Sequence, residues 1–413
     1  MRILIHGINY QPELTGIGKY TGEMANWLAD QGHDVTVITA HPYYPEWEVH
    51  DAYKGKLWFT EKLKGVRVRR CPLFVPKKIN SINRIIHELS FTLSTLPYWL
   101  KVMFERKYDL VICVSPPFYL ALIPLLYSAV RNSRLLIHVQ DLQIDAAKQL
   151  NMIKNKTALN IMFKLEKFLY KRSSAVSAVS QGMISKISQK GIPTAKLLMF
   201  PNWVDEDFVR PLSPELSLRD EFGIEQQKKV ILYSGNLGEK QGLEVIIKMA
   251  EIFQSDTNVL FVIVGSGGAK NNLVNLATSS NLTNIKFFPL QPYEKLSELL
   301  AIADVHLVLQ KGSASDLVMP SKFTAIMAAG GCVIVTAAPG TSLHQVVQEN
   351  SLGIVVGPDS DSELARGIKL ALSSDLSIYK SNARKYANRS LSKTSILRDF
   401  EKAIFPPNRT MHQ

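Results

Sequence analysis

Three stretches in the second half of the chain place glycine or serine and a lysine just ahead of a helical pattern: YSGNLGEKQGLE (233–244), VGSGGAKNNL (264–273) and MPSKFTAIMAAGG (319–331). Glycines let a backbone approach a bulky ligand, the free N–H groups of a helix start attract anions, and a nearby ammonium adds to that attraction. The chemistry such stretches can do is to hold a diphosphate. In the third, Ser321 is expected to cap the helix, Pro320 keeps it from running backward, and Gly330 suits the left-handed residue that ends it. One such stretch is ordinary capping; three that follow strands of one parallel sheet point to a phosphorylated ligand.

The first half has a related loop. NYQPELTGIGKYTGEM follows the opening strand and carries Gly16, Gly18 and Gly22 into a helix. Dinucleotide binding would require GxGxxG tight on the strand and an acid at the end of the second strand. Here the spacing is GxGxxxG and the second strand ends in Thr39-Ala40-His41, which argues against NAD or FAD. The chain contains no Walker A lysine motif, GxSxG elbow or HExxH pair, so nucleotide hydrolysis, serine hydrolase and zincin chemistry are unsupported. His41 and His50 flank an aromatic loop without carboxylates at ligand spacing. Stacking of His41, Tyr43 and Trp47 on an acceptor sugar is expected there, and no metal.

These loops need a scaffold, and the rest of the chain reads as one. Short β-branched runs at 2–8, 34–40, 66–70, 109–115, 135–141, 175–180 and 196–202 alternate with amphipathic segments. After the polar, proline-punctuated stretch 205–223 the pattern restarts at 229–235, 259–265, 285–289, 304–310, 332–338 and 353–357. The expected fold class is α/β, with two Rossmann-like parallel-sheet domains. The expected limits are 1–208, 209–390, and a terminal helical segment 391–413. A length of 413 residues with 46% hydrophobic residues suits two buried cores.

Cys71, Cys113 and Cys332 form neither a disulfide framework nor a zinc spacing, and the N-terminus lacks a signal-peptide pattern, so a cytoplasmic setting is expected. The longest apolar run, FYLALIPLLYSAV (118–130), is too short to span a bilayer and reads as a buried helix. The net charge of +12 calls for an acidic partner. Basic residues cluster at 54–70, at 77 and 78, and from Arg84 to Lys107, interleaved with Trp58, Phe59, Phe91, Trp99 and Phe104. That mixture suits a membrane surface. No nucleic-acid-binding signature appears, so nucleic acid is not expected as a partner.

The ordered series TGIGKYTGEMANWL, VQDL, SAVSQGM, FPNWVD, YSGNLGEKQGLE, VGSGG and MPSKFTAIMAAGG resembles the GT4 retaining glycosyltransferases over nearly the whole chain. Within them it is most similar to the colanic-acid-type exopolysaccharide transferases, a group that includes fucosyltransferases. The resemblance implies a GT-B fold, with the nucleotide diphosphate sugar in the second domain, the acceptor on the first, and a final helix crossing back to the first. It implies donor contacts at Gly235, Asn236, Lys240, Gly265, Ser266, Gly267, Pro320, Ser321 and Lys322. It sets Gly16 and Gly18 facing the phosphates or the transferred sugar, with Asp141 and His138 as the residues nearest the chemistry. The implied reaction moves a sugar, with fucose from GDP-fucose as one candidate, to a lipid-linked saccharide at the inner face of the cell membrane. It retains configuration and needs neither cofactor nor metal.

The chain departs from that pattern in three places. Many relatives carry Glu-x7-Glu where this chain has Leu317 and Ala325, with Asp316 one residue away. Asn236 stands where arginine is common, and Gln241 where lysine is, with Lys240 one residue earlier. Gln140 stands where a histidine is common beside the acid, here Asp141. Two rivals follow. One is a GT-B sugar-nucleotide epimerase, which needs carboxylates near the sugar; the other is a non-catalytic sugar-nucleotide-binding partner of another transferase, which the missing acids would suit.

Overall fold

A computed structural model describes residues 1–13, 16–78, 80–149, 153, 155–238, 242–310 and 320–405. Lys240, Gln241, Asp316 and Leu317 lie outside them. The chain divides into two compact units, Met1–Pro201 with the segment from Leu397 onward, and Asn202–Ile396.

The first unit is built on eight strands: β1 Arg2–His6, β2 Asp34–Ala40, β3 Phe59–Leu63, β4 Val66–Cys71, β5 Leu110–Ser115, β6 Arg134–Val139, β7 Ala175–Ala178 and β8 Leu197–Met199. Their order across the sheet is β3-β4-β2-β1-β5-β6-β7-β8. β1 pairs in parallel with both β2 and β5, with Ile3 opposite Val35 and Leu110. The apolar runs of β1 and β5 are buried because helices cover both faces of a parallel sheet.

Sequence reasoning missed β3, whose FTEKL alternates in burial along an edge and pairs antiparallel with β4. Lys64 and Gly65 join the two strands at φ of 45° and 82°, the left-handed pair a two-residue hairpin turn requires. The run 118–130 also departs from expectation. It is a 3-10 turn, Phe118–Ala121, followed by a helix, Leu122–Arg131, whose Leu122, Leu126 and Val130 are exposed. Residues four apart share one helix face, and here that apolar face points outward.

The second unit holds β9 Lys229–Ser234, β10 Val259–Val264, β11 Ile285–Phe288, β12 Val305–Val308, β13 Cys332–Thr336 and β14 Gly353–Val356, in the order β11-β10-β9-β12-β13-β14 and all parallel. Alternate residues feed opposite cores. Ile231 and Tyr233 pack to one side of β9, Val230 and Leu232 to the other. The winding reverses between β9 and β12, and in such sheets ligands bind beyond the strand ends at that reversal. The three lysine-bearing stretches follow β9, β10 and β12.

The final helix, Lys393–Ile404, ends in the first unit. Phe400 stacks on Phe200 with ring centroids 3.6 Å apart, Glu401 accepts from Trp27 Nε1 at 3.2 Å, and Arg134 donates to the Ile404 carbonyl at 2.6 Å. Among the described residues no helix is long and apolar enough to cross a membrane.

Candidate functional site

The glycine turns after β9 and β10 interlock. Gly235, at φ 134°, donates to the Val264 carbonyl at 2.9 Å, and Leu237 donates to the Ser266 carbonyl at 2.8 Å. A Cβ on Gly265 would stand 1.9 Å from the Gly235 carbonyl oxygen, and one on Gly267 would stand 2.5 Å from that of Leu237. No side chain fits either position, so these two glycines allow the loops to pack backbone on backbone. Asn236 belongs to the same cluster: its carbonyl accepts from the Tyr233 hydroxyl at 2.9 Å.

The helix after β12, Ser321–Ala328, aims its start at these turns through Lys322. The Lys322 Nζ lies 3.4 Å from the centroid of the Tyr233 ring and 3.6 Å from where a Cβ on Gly235 would stand. Its stem is half-buried, but the nitrogen itself is buried and has no hydrogen-bond partner among the described residues. Burial pushes this ammonium down to about 7. An ammonium out of water is costly unless paired; the face of Tyr233 offsets part of that cost and an arriving anion would offset far more.

Ser321 is not the N-cap. Pro320, with ψ 115°, is the half-in residue, Ser321 is the first helical one, and among the described residues no side chain caps the helix start. The extended ψ of Pro320 sets the boundary one residue earlier than expected, and Ser321, exposed, instead accepts at its carbonyl from the Thr324 hydroxyl at 2.9 Å. A helix start uncapped by a side chain, with a lysine in its first turn, is a stronger anion site than a capped one. The far end closes as expected: Gly330, at φ 67°, donates to the Met327 carbonyl and Gly331 to that of Ile326, a Schellman closure. Ala325 sits half-buried on this helix against the core. Gly235, Asn236, Gly265, Ser266, Gly267, Pro320 and Lys322 thus belong to one end of the second sheet.

In the first unit the glycine loop is already occupied by the protein's own acid. Glu13, missed by sequence reasoning, is buried. Its carboxylate accepts from the backbone N–H of Tyr43 and Tyr44 at 3.1 and 3.2 Å and from Asn9 Nδ2 at 3.0 Å. A Cβ on Gly18 would stand 2.4 Å from Glu13 Oε2. Gly18 therefore makes room for Glu13 in the first turn of the helix Gly16–Asp30. Gly16, at φ 62°, lies under the Tyr44 ring. Burial pushes the Glu13 carboxyl up to about 7, against the pull of its three donors. The only sequence signal for it was an acid within a loop of glycines.

Of the aromatic trio, Tyr43 and Trp47 meet edge-on with ring centroids 5.6 Å apart, whereas His41 packs against Tyr53 and Phe59. His41 is buried, with Nε2 3.1 Å from the Leu57 carbonyl oxygen, and Tyr43 is buried edge-on to His87 at 4.6 Å, so neither ring has a face to offer a sugar. Trp47 is half-buried at φ 55°, a strained backbone for a bulky residue and one found at functional sites. His138 is also in the core: its Nδ1 meets Ser177 Oγ at 2.9 Å, its Nε2 meets Gln140 Nε2 at 2.8 Å, and burial pushes it down to about 3. Both ring nitrogens are taken, so a direct proton-transfer role is replaced by a structural one. Asp141 stands half-buried just beyond β6, ahead of the helix Gln143–Gln149.

Comparison with known proteins adds a second line of support. The family described as "Glycosyl transferases group 1" is matched over residues 215–390 and that described as "Glycosyl transferase 4-like domain" over 15–203. The chain is 40% identical to the Escherichia coli K12 protein named putative colanic acid biosynthesis glycosyl transferase WcaI, over 97% of this chain and 98% of that one. It is 23% identical to the Pseudomonas aeruginosa probable glycosyltransferase WbjE over 61% of this chain and 63% of that one. Among solved structures, Thermosynechococcus elongatus sucrose-phosphate synthase matches with a TM-score of 0.74 at 16% identity, covering 98% of each chain. Anabaena Alr3699/HepE in complex with UDP and glucose matches with a TM-score of 0.72 at 16% identity, covering 98% of this chain and 99% of that one. At such identity the structural matches speak for the fold, which is GT-B.

Proposed function

The chain belongs to the group 1, GT4-like glycosyltransferases, and from that premise we propose that it moves a sugar from a nucleoside diphosphate donor to a lipid-linked saccharide in the synthesis of a colanic-acid-like exopolysaccharide. The observation that carries the donor half is Lys322: a buried ammonium that, among the described residues, has no hydrogen-bond partner and stands in the first turn of a helix without a side-chain cap, beside two interlocked glycine turns. Diphosphate is the group that satisfies all three at once.

In this reading Lys322 and the helix start, set beside the glycine turns after β9 and β10, take the negative charge that develops on the leaving diphosphate. That electrostatic work lowers the barrier and needs no divalent cation. The bond from the anomeric carbon to the diphosphate breaks as the acceptor hydroxyl bonds to that carbon on the same face and gives its proton to the leaving phosphate, so the sugar keeps its configuration and no protein base is required. Asp141 orients the acceptor and Trp47 stacks on its sugar. The enzyme works at the inner face of the cell membrane, where its acceptor is anchored.

GDP-fucose and UDP-glucose are the first donors to try, with a detergent-solubilised lipid-linked saccharide as acceptor and the anomeric configuration of the product read by NMR. Transfer with retention, unchanged by a chelator, is expected. Epimerised free donor, or binding without turnover by either donor, would replace this reading with one of its rivals.

A further inference from the structure

Three helices of the first unit turn their apolar faces outward. In the helix Ser81–Ser94, the exposed side chains among those described are Ile82, Ile85, Ile86, Leu89 and Leu93. At 100° per residue they fall in one stripe about 100° wide. A helix of a water-facing surface shows the reverse, with polar residues out and apolar residues in. The next helix, Leu96–Phe104, continues from it through Thr95 and exposes Leu96, Leu100 and Phe104, the last 89% accessible. Arg131 ties the third, Leu122–Arg131, to the second by donating to the Met103 and Glu105 carbonyls, and that helix exposes Leu122, Leu126 and Val130. Trp58, half-exposed, is fixed to the junction by donating to the Ser94 carbonyl at 2.7 Å.

Charge surrounds this face with a single sign. Lys77 and Lys78 precede the first helix, Lys101 lies beside Leu100, and Arg106 and Lys107 follow the second; all five are exposed. The acids of the same region are withdrawn: Glu88 is buried and paired with Arg84, and Glu105 is paired with Arg69. Of the aromatics interleaved with these bases in the sequence, Phe91 and Trp99 are buried while Trp58 and Phe104 are exposed, and Arg69 and Arg70 are held within the fold. An apolar stripe flanked by lysines whose stems can reach outward fits a bilayer with anionic headgroups.

We infer that the helices Ser81–Ser94, Leu96–Phe104 and Leu122–Arg131 form a docking face that lies in the headgroup layer of an anionic membrane, with Leu89, Leu93 and Leu100 at the acyl boundary. The inference rests on the lipid-linked acceptor proposed above and names the surface that brings the enzyme to it. A neutral bilayer would supply the apolar contact without the charge, and a second copy of the chain would bring the same basic rim against itself. The anionic bilayer is therefore the occupant the charges favour.

The test is flotation of the full chain with phosphatidylcholine vesicles and with phosphatidylcholine–phosphatidylglycerol vesicles, for wild type, Leu89→Glu/Leu93→Glu and Lys101→Glu/Lys107→Glu. Wild type floats with the anionic vesicles only, the leucine pair abolishes flotation, and each lost lysine weakens binding about fivefold. Thermal melting checks that the variants fold; if the leucine pair does not, Leu93→Ser/Leu126→Ser replaces it. Failure of wild type to float, or flotation of the leucine variant equal to wild type, overturns the inference. So does a dimer in sedimentation that the leucine substitutions dissociate. Transfer to a detergent-solubilised acceptor is measured in parallel: transfer without flotation removes the docking face and leaves the proposed reaction, and flotation without transfer does the opposite.

Discussion

The helix starts that follow glycine-bearing turns in the two units look alike as sequence and differ in charge. In the first unit the protein has placed its own carboxylate, Glu13, against the first turn of the helix Gly16–Asp30 and secured it with the Tyr43 and Tyr44 amides. In the second it has placed an ammonium, Lys322, in the first turn of a helix and set its nitrogen on the face of Tyr233. A helix start whose first turn already holds a buried, hydrogen-bonded carboxyl is complete as a structure. One with a buried cation is stabilised by an anion from outside. Glycine turns alone do not separate the two cases; the sign of the nearest buried charge does.

Substitutions should break this contrast in a set order. Lys322→Ala is expected to weaken nucleoside diphosphate binding about a hundredfold, the scale seen when one preorganised donor is removed from a charge-stabilising site. Its melting temperature should not fall, because a desolvated charge has been removed; calorimetry and thermal melting check the pair of effects. Glu13→Ala is expected to reverse that pattern. It strands two buried amides and should cost about 2–4 kcal/mol of stability while donor affinity stays within about twofold. Gly18→Ala, which drives a Cβ into the same carboxylate, should resemble it in denaturant midpoint.

The pH dependence of stability should differ in the same way. Burial holds Glu13 above its ordinary 4.5, at about 7, so its contribution is full below 4.5 and is lost as pH rises through 7. Burial holds Lys322 below its ordinary 10.5, also at about 7, so its contribution is full above 10.5 and is lost as pH falls through 7. Glu13→Gln should flatten the acid-side dependence and Lys322→Met the alkaline side, each leaving the other in place. The smallest effect expected is at the distal end of the helix Ser321–Ala328. Gly330→Ala forces a Cβ onto φ 67° and within 3.3 Å of Pro211. It should cost about 1 kcal/mol in a urea midpoint with no change in donor affinity.

Much of the scaffold was legible in the sequence because parallel strands buried on both faces read as apolar runs. The edge strand FTEKL was not, since half its residues meet water and its pattern is that of a charged loop. The apolar run 118–130 shows the converse: hydrophobicity marked the segment, but not which way Leu122, Leu126 and Val130 face. At the candidate site, Gly265 and Gly267 were legible because backbone crowding selects glycine, and Lys322 because a lysine in a helix's first turn stands out. Glu13 was not, because an acid in a polar loop is ordinary until its burial is seen. His41, Tyr43 and His138 were chosen for their chemistry, and packing placed them in the core instead.

The central claim is that Lys322 is the cation of a diphosphate site, and titration calorimetry with GDP and UDP at pH 8, in buffers of different ionisation enthalpy, tests it most directly. Binding of one nucleotide should take up close to one proton in wild type, as the phosphates pull the mostly neutral amine back to its charged form, and both the affinity and the proton uptake should be lost in Lys322→Ala. Unchanged affinity and proton uptake in that variant would contradict the claim.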